Sequence, residues 1–84
     1  MRKIMKTATI KHSFEVDISN LLNPTSVIAV VQSFNTLTSG DILKVTACNQ
    51  NAIVSVISFC KNSGNNILEK IDYNGEITLF IQKN

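Results

Sequence analysis

The spacing of apolar residues switches along this chain between alternate positions and every third or fourth position, and that succession of periods restricts the fold more than any other feature. Phe14, Val16 and Ile18 alternate with Glu15 and Asp17, the period of a strand with one face buried. Val27, Val30, Val31, Phe34 and Leu37 then follow at helical spacing. Asn23-Pro24 stands before them as a helix start, because Asn accepts a hydrogen bond from a free backbone amide and Pro at the first helical position loses no needed donor. Ser39-Gly40 supplies the stop, so a helix is predicted over 24–38.

The two-residue period returns over 41–48, with Leu43, Val45 and Ala47 on one side and Lys44 and Thr46 on the other. Asn49-Gln50-Asn51 can cap a second helix whose buried stripe is Ile53, Val56, Ile57 and Cys60, ending at 62–64. Two strands over 66–73 and 76–82 flank Asn74-Gly75, a pair that tolerates the positive φ angles of a tight hairpin turn. Helical crossovers are right-handed and keep the strands they join parallel, so the order βαβαββ predicts a two-layer α/β sandwich. Its four-stranded mixed sheet carries both helices on one face, over a core of Val16, Val27, Val30, Phe34, Val45, Ile53, Ile57 and Leu79.

A chain of 84 residues holds a single core, since a domain near this size buries only somewhat more than about 60% of the surface its unfolded form exposes. The expected organisation is a basic segment at 1–11, carrying Arg2, Lys3, Lys6 and Lys11, followed by one domain over 12–84. With 44% apolar and 17% charged residues the composition is that of an ordered globular protein. Charge interrupts residues 1–11 too often for a signal peptide, and no run approaches the roughly 18 apolar residues of a membrane span, so the chain is expected in the cytoplasm, off the membrane. Cys48 and Cys60, with His12 as the one possible companion, fit neither a zinc spacing nor a disulfide framework, and no glycine-rich phosphate loop is present. No metal or cofactor is expected.

From Asp17 to Lys83 the chain resembles the TusA/SirA family of sulfur-transfer proteins. Where the family opens its first helix with Cys-Pro-x-Pro, this chain reads Asn23-Pro24-Thr25-Ser26. Ser39-Gly40-Asp41-Ile42-Leu43 sits at the family's Gly-led turn into its second strand, and Phe59-Cys60-Lys61 with Gly64 matches an aromatic-Cys-Lys-x-x-Gly-His string, Asn65 replacing the His. Leu79-Phe80-Ile81-Gln82-Lys83 looks like the family's closing strand with its terminal Lys. The resemblance implies the SirA-like arrangement, also similar to the C-terminal domain of translation initiation factor three.

The resemblance further implies a sulfur carrier that holds a persulfide on the cysteine before the first helix, where helix-end amides favour a thiolate. An amide has no such thiol, so Asn23 argues against sulfurtransferase activity at the usual position. The leading expectation is a non-catalytic relative with a degenerate active site, keeping a docking surface around the first helix for a cysteine desulfurase or another sulfur-relay protein. The alternative is a carrier with Cys48 as a relocated thiol, since Asn23 and Cys48 both follow the carboxyl ends of parallel strands and so share one sheet edge. Cys60, on the buried stripe, is expected to pack as a small hydrophobe. A nucleic-acid-binding module ranks last, resting on the basic start, Lys44, Lys70 and an outward Phe80 on the open sheet face. His12 shows no partner in the sequence, and Glu69, Asp72 and Glu76 read as solvated charges beside the hairpin.

Overall fold

The computed structural model describes residues 11–22 and 24–84. The basic segment expected over 1–11, Lys11 apart, and the capping role expected of Asn23 lie outside the described residues. The elements run β1 (Phe14–Asp17), α1 (Thr25–Asn35), β2 (Ile42–Ala47), α2 (Gln50–Ser63), β3 (Asn66–Tyr73) and β4 (Glu76–Gln82). The strands form one mixed sheet in the order β1-β2-β4-β3. β1 and β2 are parallel, as a helical crossover requires, and β4 runs antiparallel to both β2 and β3. Both helices lie on one face: α1 covers β1 and β2, α2 covers β2, β4 and β3, and the helices touch each other.

Between the layers, Leu43, Val45 and Ala47 of β2 meet Ile77, Leu79 and Ile81 of β4, all fully or almost fully buried. Val30 and Phe34 of α1, and Ala52, Ile53, Val56 and Cys60 of α2, close the core from above. Burying each larger aliphatic side chain contributes about 1.5–3 kcal/mol, and Leu43, Val45, Ile77, Leu79 and Ile81 of the two central strands share that burial with Ile18, Val30, Leu37, Ile53 and Val56. Asn74 and Gly75 adopt φ of 54° and 80°, the left-handed pair that lets β3 and β4 meet in a two-residue turn.

Two local features depart from the sequence reading, and a third lies beyond it. First, α1 begins at Thr25, with Pro24 at the cap position, and ends at Asn35 rather than Thr38. Its last turn is closed by Thr36, whose hydroxyl donates to the Ser33 carbonyl, while Leu37 continues into the core from the loop. Second, the buried stripe of α1 is Ser26, Val30 and Phe34, and Val27 is only half-buried. Ser26 is the first residue of that stripe at four-residue spacing, and a hydroxyl is small enough to fit against the sheet. Third, β3 carries an irregularity between Ile67 and Glu69. Leu68 is the extra residue, so Ile67 faces the helices beside Ile81 while Glu69 and Ile71 turn to the open face beside Phe80 and Thr78.

Phe80 is the clearest correction. It does lie on the open face, paired with Lys44 and Glu69, yet it is only 2% exposed. The His12 ring packs against it at 6.0 Å between centroids, tilted by 55°, and His12 is itself held by a 3.0 Å contact from Nε2 to the Glu15 carboxylate. No exposed aromatic platform is left at position 80, and His12 has a partner that the sequence did not reveal.

Candidate functional site: the carboxyl edge of the parallel strands

β1 and β2 end side by side, because Asp17 pairs with Thr46, and the chain leaves both ends toward the helix layer. The next residue, Ile18, extends the pairing by donating its N–H to the Thr46 carbonyl at 2.8 Å and buries its side chain. A tight turn follows, closed by Leu21 N–H to the Ile18 carbonyl at 3.1 Å. Asp17 accepts the Ser19 N–H at 2.9 Å. Hydrogen bonds from the Ser19 side chain and backbone hold the Asp17 carboxyl below its ordinary range, so it stays charged and keeps the turn formed. Leu21 packs against the core, whereas Leu22 is 77% exposed. The Leu22 carbonyl accepts from Ser26 N–H, and the Pro24 carbonyl from Ile28 N–H, each at 3.0 Å, so the loop leads straight into α1.

The loop after β2 starts with Cys48, which is exposed and whose Sγ donates to the Ser19 carbonyl at 3.4 Å. Cys48 therefore lies against the loop that continues to Asn23, as the shared-edge rule predicts for two parallel strands. Asn49 caps α2 from an extended backbone (φ −135°, ψ 121°), its Oδ1 accepting from Asn51 N–H at 2.7 Å and Ala52 N–H at 3.3 Å. Neither helix has an acidic residue in its first turn, so no carboxylate of the helices offsets the partial positive charge at their starts.

Cys60 is in a different position altogether. It is fully buried on α2, and burial pushes its thiol up to about 11, which leaves it protonated and inert. Glu69 and Glu76 turn to the open face, where Glu76, Glu15, Asp17, Lys44 and Thr78 line a shallow polar depression, while Asp72 pairs with Ile77 on the helix side. Among the described residues no three His, Cys, Asp or Glu side chains converge as metal ligands would. Nor is any described helix long and apolar enough to cross a membrane.

A mixed sheet under two helices, with two loops meeting at the carboxyl edge of the parallel strands, is the architecture of the small sulfur-relay proteins. The family model for sulfurtransferase TusA matches residues 14–83, and the chain belongs to that family. Its relatives include the sulfur carrier protein TusA of Allochromatium vinosum, 28% identical over 69 residues that cover 82% of this chain and 91% of the relative. Among solved structures, a SirA-like protein from Desulfitobacterium hafniense superposes with a TM-score of 0.75 over 83% of this chain and 96% of its own, at 19% identity. That likeness bears out the two-layer βαβαββ sandwich.

Proposed function

We propose that this chain is a docking member of the sulfur-relay family that binds a cysteine desulfurase or another relay protein through α1 and the loop before it, without itself carrying sulfur at the family's usual place. The observation that carries this reading is the residue at that place: the position matching the family's cysteine is Asn23, directly before Pro24 and the start of α1. A persulfide carrier takes sulfur when its thiolate attacks the terminal sulfur of the donor's persulfide; the new S–S bond forms as the donor's S–S bond breaks, and the donor cysteine leaves as thiolate. The amide of Asn23 cannot begin that exchange.

A second reading is favoured by one contact. Cys48 is exposed and lies 3.4 Å from the Ser19 carbonyl, on the same edge as the loop to Asn23, so a relocated thiol there would meet the same partner face. Incubation with a cysteine desulfurase, free cysteine and pyridoxal phosphate separates the two. The docking reading expects an unchanged mass for the natural chain and one added sulfur on Asn23→Cys. Loading of the natural chain at Cys48, removed by Cys48→Ser and retained by Cys60→Ser, would overturn it in favour of the relocated carrier.

A further inference from the structure

The sequence contains no Asp, Glu, Lys, Arg or His from 18 to 40, a stretch that spans the β1–α1 loop, all of α1 and the turn after it. α1 buries Ser26, Val30 and Phe34 against the sheet and turns Thr25, Ile28, Gln32 and Asn35 outward, one stripe at helical spacing. Solvent-facing helix stripes normally carry charge. This one carries amides, a hydroxyl and Ile28, which is 49% exposed, and it continues at its start into Leu22. α2 repeats the pattern, with no charged residue until Lys61 in its last turn and Val54 exposed at 57%. The charges nearest this layer are Lys61 in the last turn of α2, Lys70 and Asp72 on the helix side of β3, and Lys83, whose ammonium is tied to the Phe34 and Leu37 carbonyls at the far end of α1.

Resting on the docking reading above, we propose that the outward stripe of α1, with Leu22 and Ile28 as its anchors, recognises a partner protein through a face that is itself apolar and uncharged. A charged partner footprint laid on this stripe would lose its hydration and find no counter-ion, and the phosphates of a nucleic acid would find no cation. Depletion of charge with retention of apolar side chains is also the composition of the buried centre of protein interfaces. Leu22 and Ile28 contribute little to the core, because both are exposed, so their replacement removes contact area without opening a cavity. Association of this kind is not steered by long-range charge, and its rate falls in the neutral range of about 10⁵–10⁶ M⁻¹s⁻¹.

The test uses the full chain and an immobilised cysteine desulfurase, with affinity measured at about 50 mM and about 500 mM NaCl, concentrations that change the screening length severalfold. The expected Kd changes by less than about two-fold between them, because no ion pair at the stripe is available to be screened. Leu22→Asp and Ile28→Asp are each expected to weaken binding by about ten-fold or more, through a buried unpaired carboxylate at the interface, with the melting temperature of the free chain retained. Lys44→Ala, on the opposite sheet face, is expected to leave binding unchanged. Binding that weakens about ten-fold with salt and ignores Leu22→Asp would overturn the inference while leaving the docking reading intact. Self-association through the stripe, seen by sedimentation and abolished by Ile28→Asp, would overturn it by making a second copy the occupant. Failure to bind at either salt concentration would refute a cysteine desulfurase as the docked partner, and the inference with it.

Discussion

Lys83, just beyond the last strand, holds the far end of α1, and replacing it with Met measures how much of the helix layer depends on that tie. Its Nζ donates to the carbonyls of Phe34 and Leu37, both at 2.8 Å, where the end of α1 leaves carbonyl groups without helical partners. A hydrogen bond from a charged donor contributes about 1.5–3 kcal/mol, and a cation at a helix C-terminus a further 0.3–1 kcal/mol or so. The side chain is only partly buried, so water can replace part of both bonds in the variant. A net loss of about 2 kcal/mol is the expected result, below the simple sum. Met keeps the apolar stem of the side chain, which confines the loss to the ammonium group. For a domain of this size about 2 kcal/mol lowers the melting temperature by roughly 8–16 °C. Thermal unfolding followed by circular dichroism reads this directly, and urea unfolding should show a lower midpoint with an unchanged slope. A fall of less than about 2 °C would mean that hydration of the two carbonyls fully replaces Lys83, and the account of α1 anchoring would be wrong.

Two further outcomes test the core and the thiols. Phe34→Ala, at a site 3% exposed where the ring lies 5.7 Å from that of Phe59, should cost about 3–5 kcal/mol in urea unfolding, a large share of an ordinary domain's stability; an unmoved midpoint would remove Phe34 from the core. A thiol reagent at about pH 8 should modify Cys48 rapidly in the native chain and Cys60 only after denaturation, since a thiol pushed up to about 11 is ionised to roughly one part in a thousand there and is also out of reach. Two fast equivalents, or a fast phase that survives Cys48→Ser, would contradict that assignment.

The order and pairing of the elements were legible because each rests on a local rule with little competition. The alternation in β2 and β4 survives intact: Leu43, Val45, Ala47, Ile77, Leu79 and Ile81 all face the helices. Asn74-Gly75 forms the turn that its tolerance of positive φ predicts. The proximity of Cys48 to the β1–α1 loop also followed from parallel pairing, which sends both chain ends to one edge. Legibility failed where a residue's environment is set by distant chain. Strict alternation in β3 would put Ile67, Glu69 and Ile71 on one face, and the extra residue Leu68 divides them between two. Phe80 reads as outward by parity, and its burial beside His12 depends on a residue far away in sequence. The contacts of Lys83 with α1 cross more than half the chain and have no signature in any window of sequence.

On the docking reading, these contacts explain how the fold is held without a thiol at position 23. α1 is fixed by Val30 and Phe34 in the core, by Leu37 after its last turn and by the ammonium of Lys83 at its C-terminal end. All of these anchors lie beyond the first turn of α1, away from the loop where the family's cysteine would stand. The carboxyl edge has its own supports, the Ile18 bond to Thr46 and the Asp17–Ser19 turn, which act before the chain reaches position 23. On the docking reading, the residues that anchor α1 are not the one that would carry sulfur, so an amide at position 23 leaves those anchors in place. On the same reading, a partner that recognises the outward stripe of α1 meets Leu22 and Ile28 in either case. Docking and sulfur transfer are, on the docking reading, separable functions, and Asn23→Cys should add the second without altering the first.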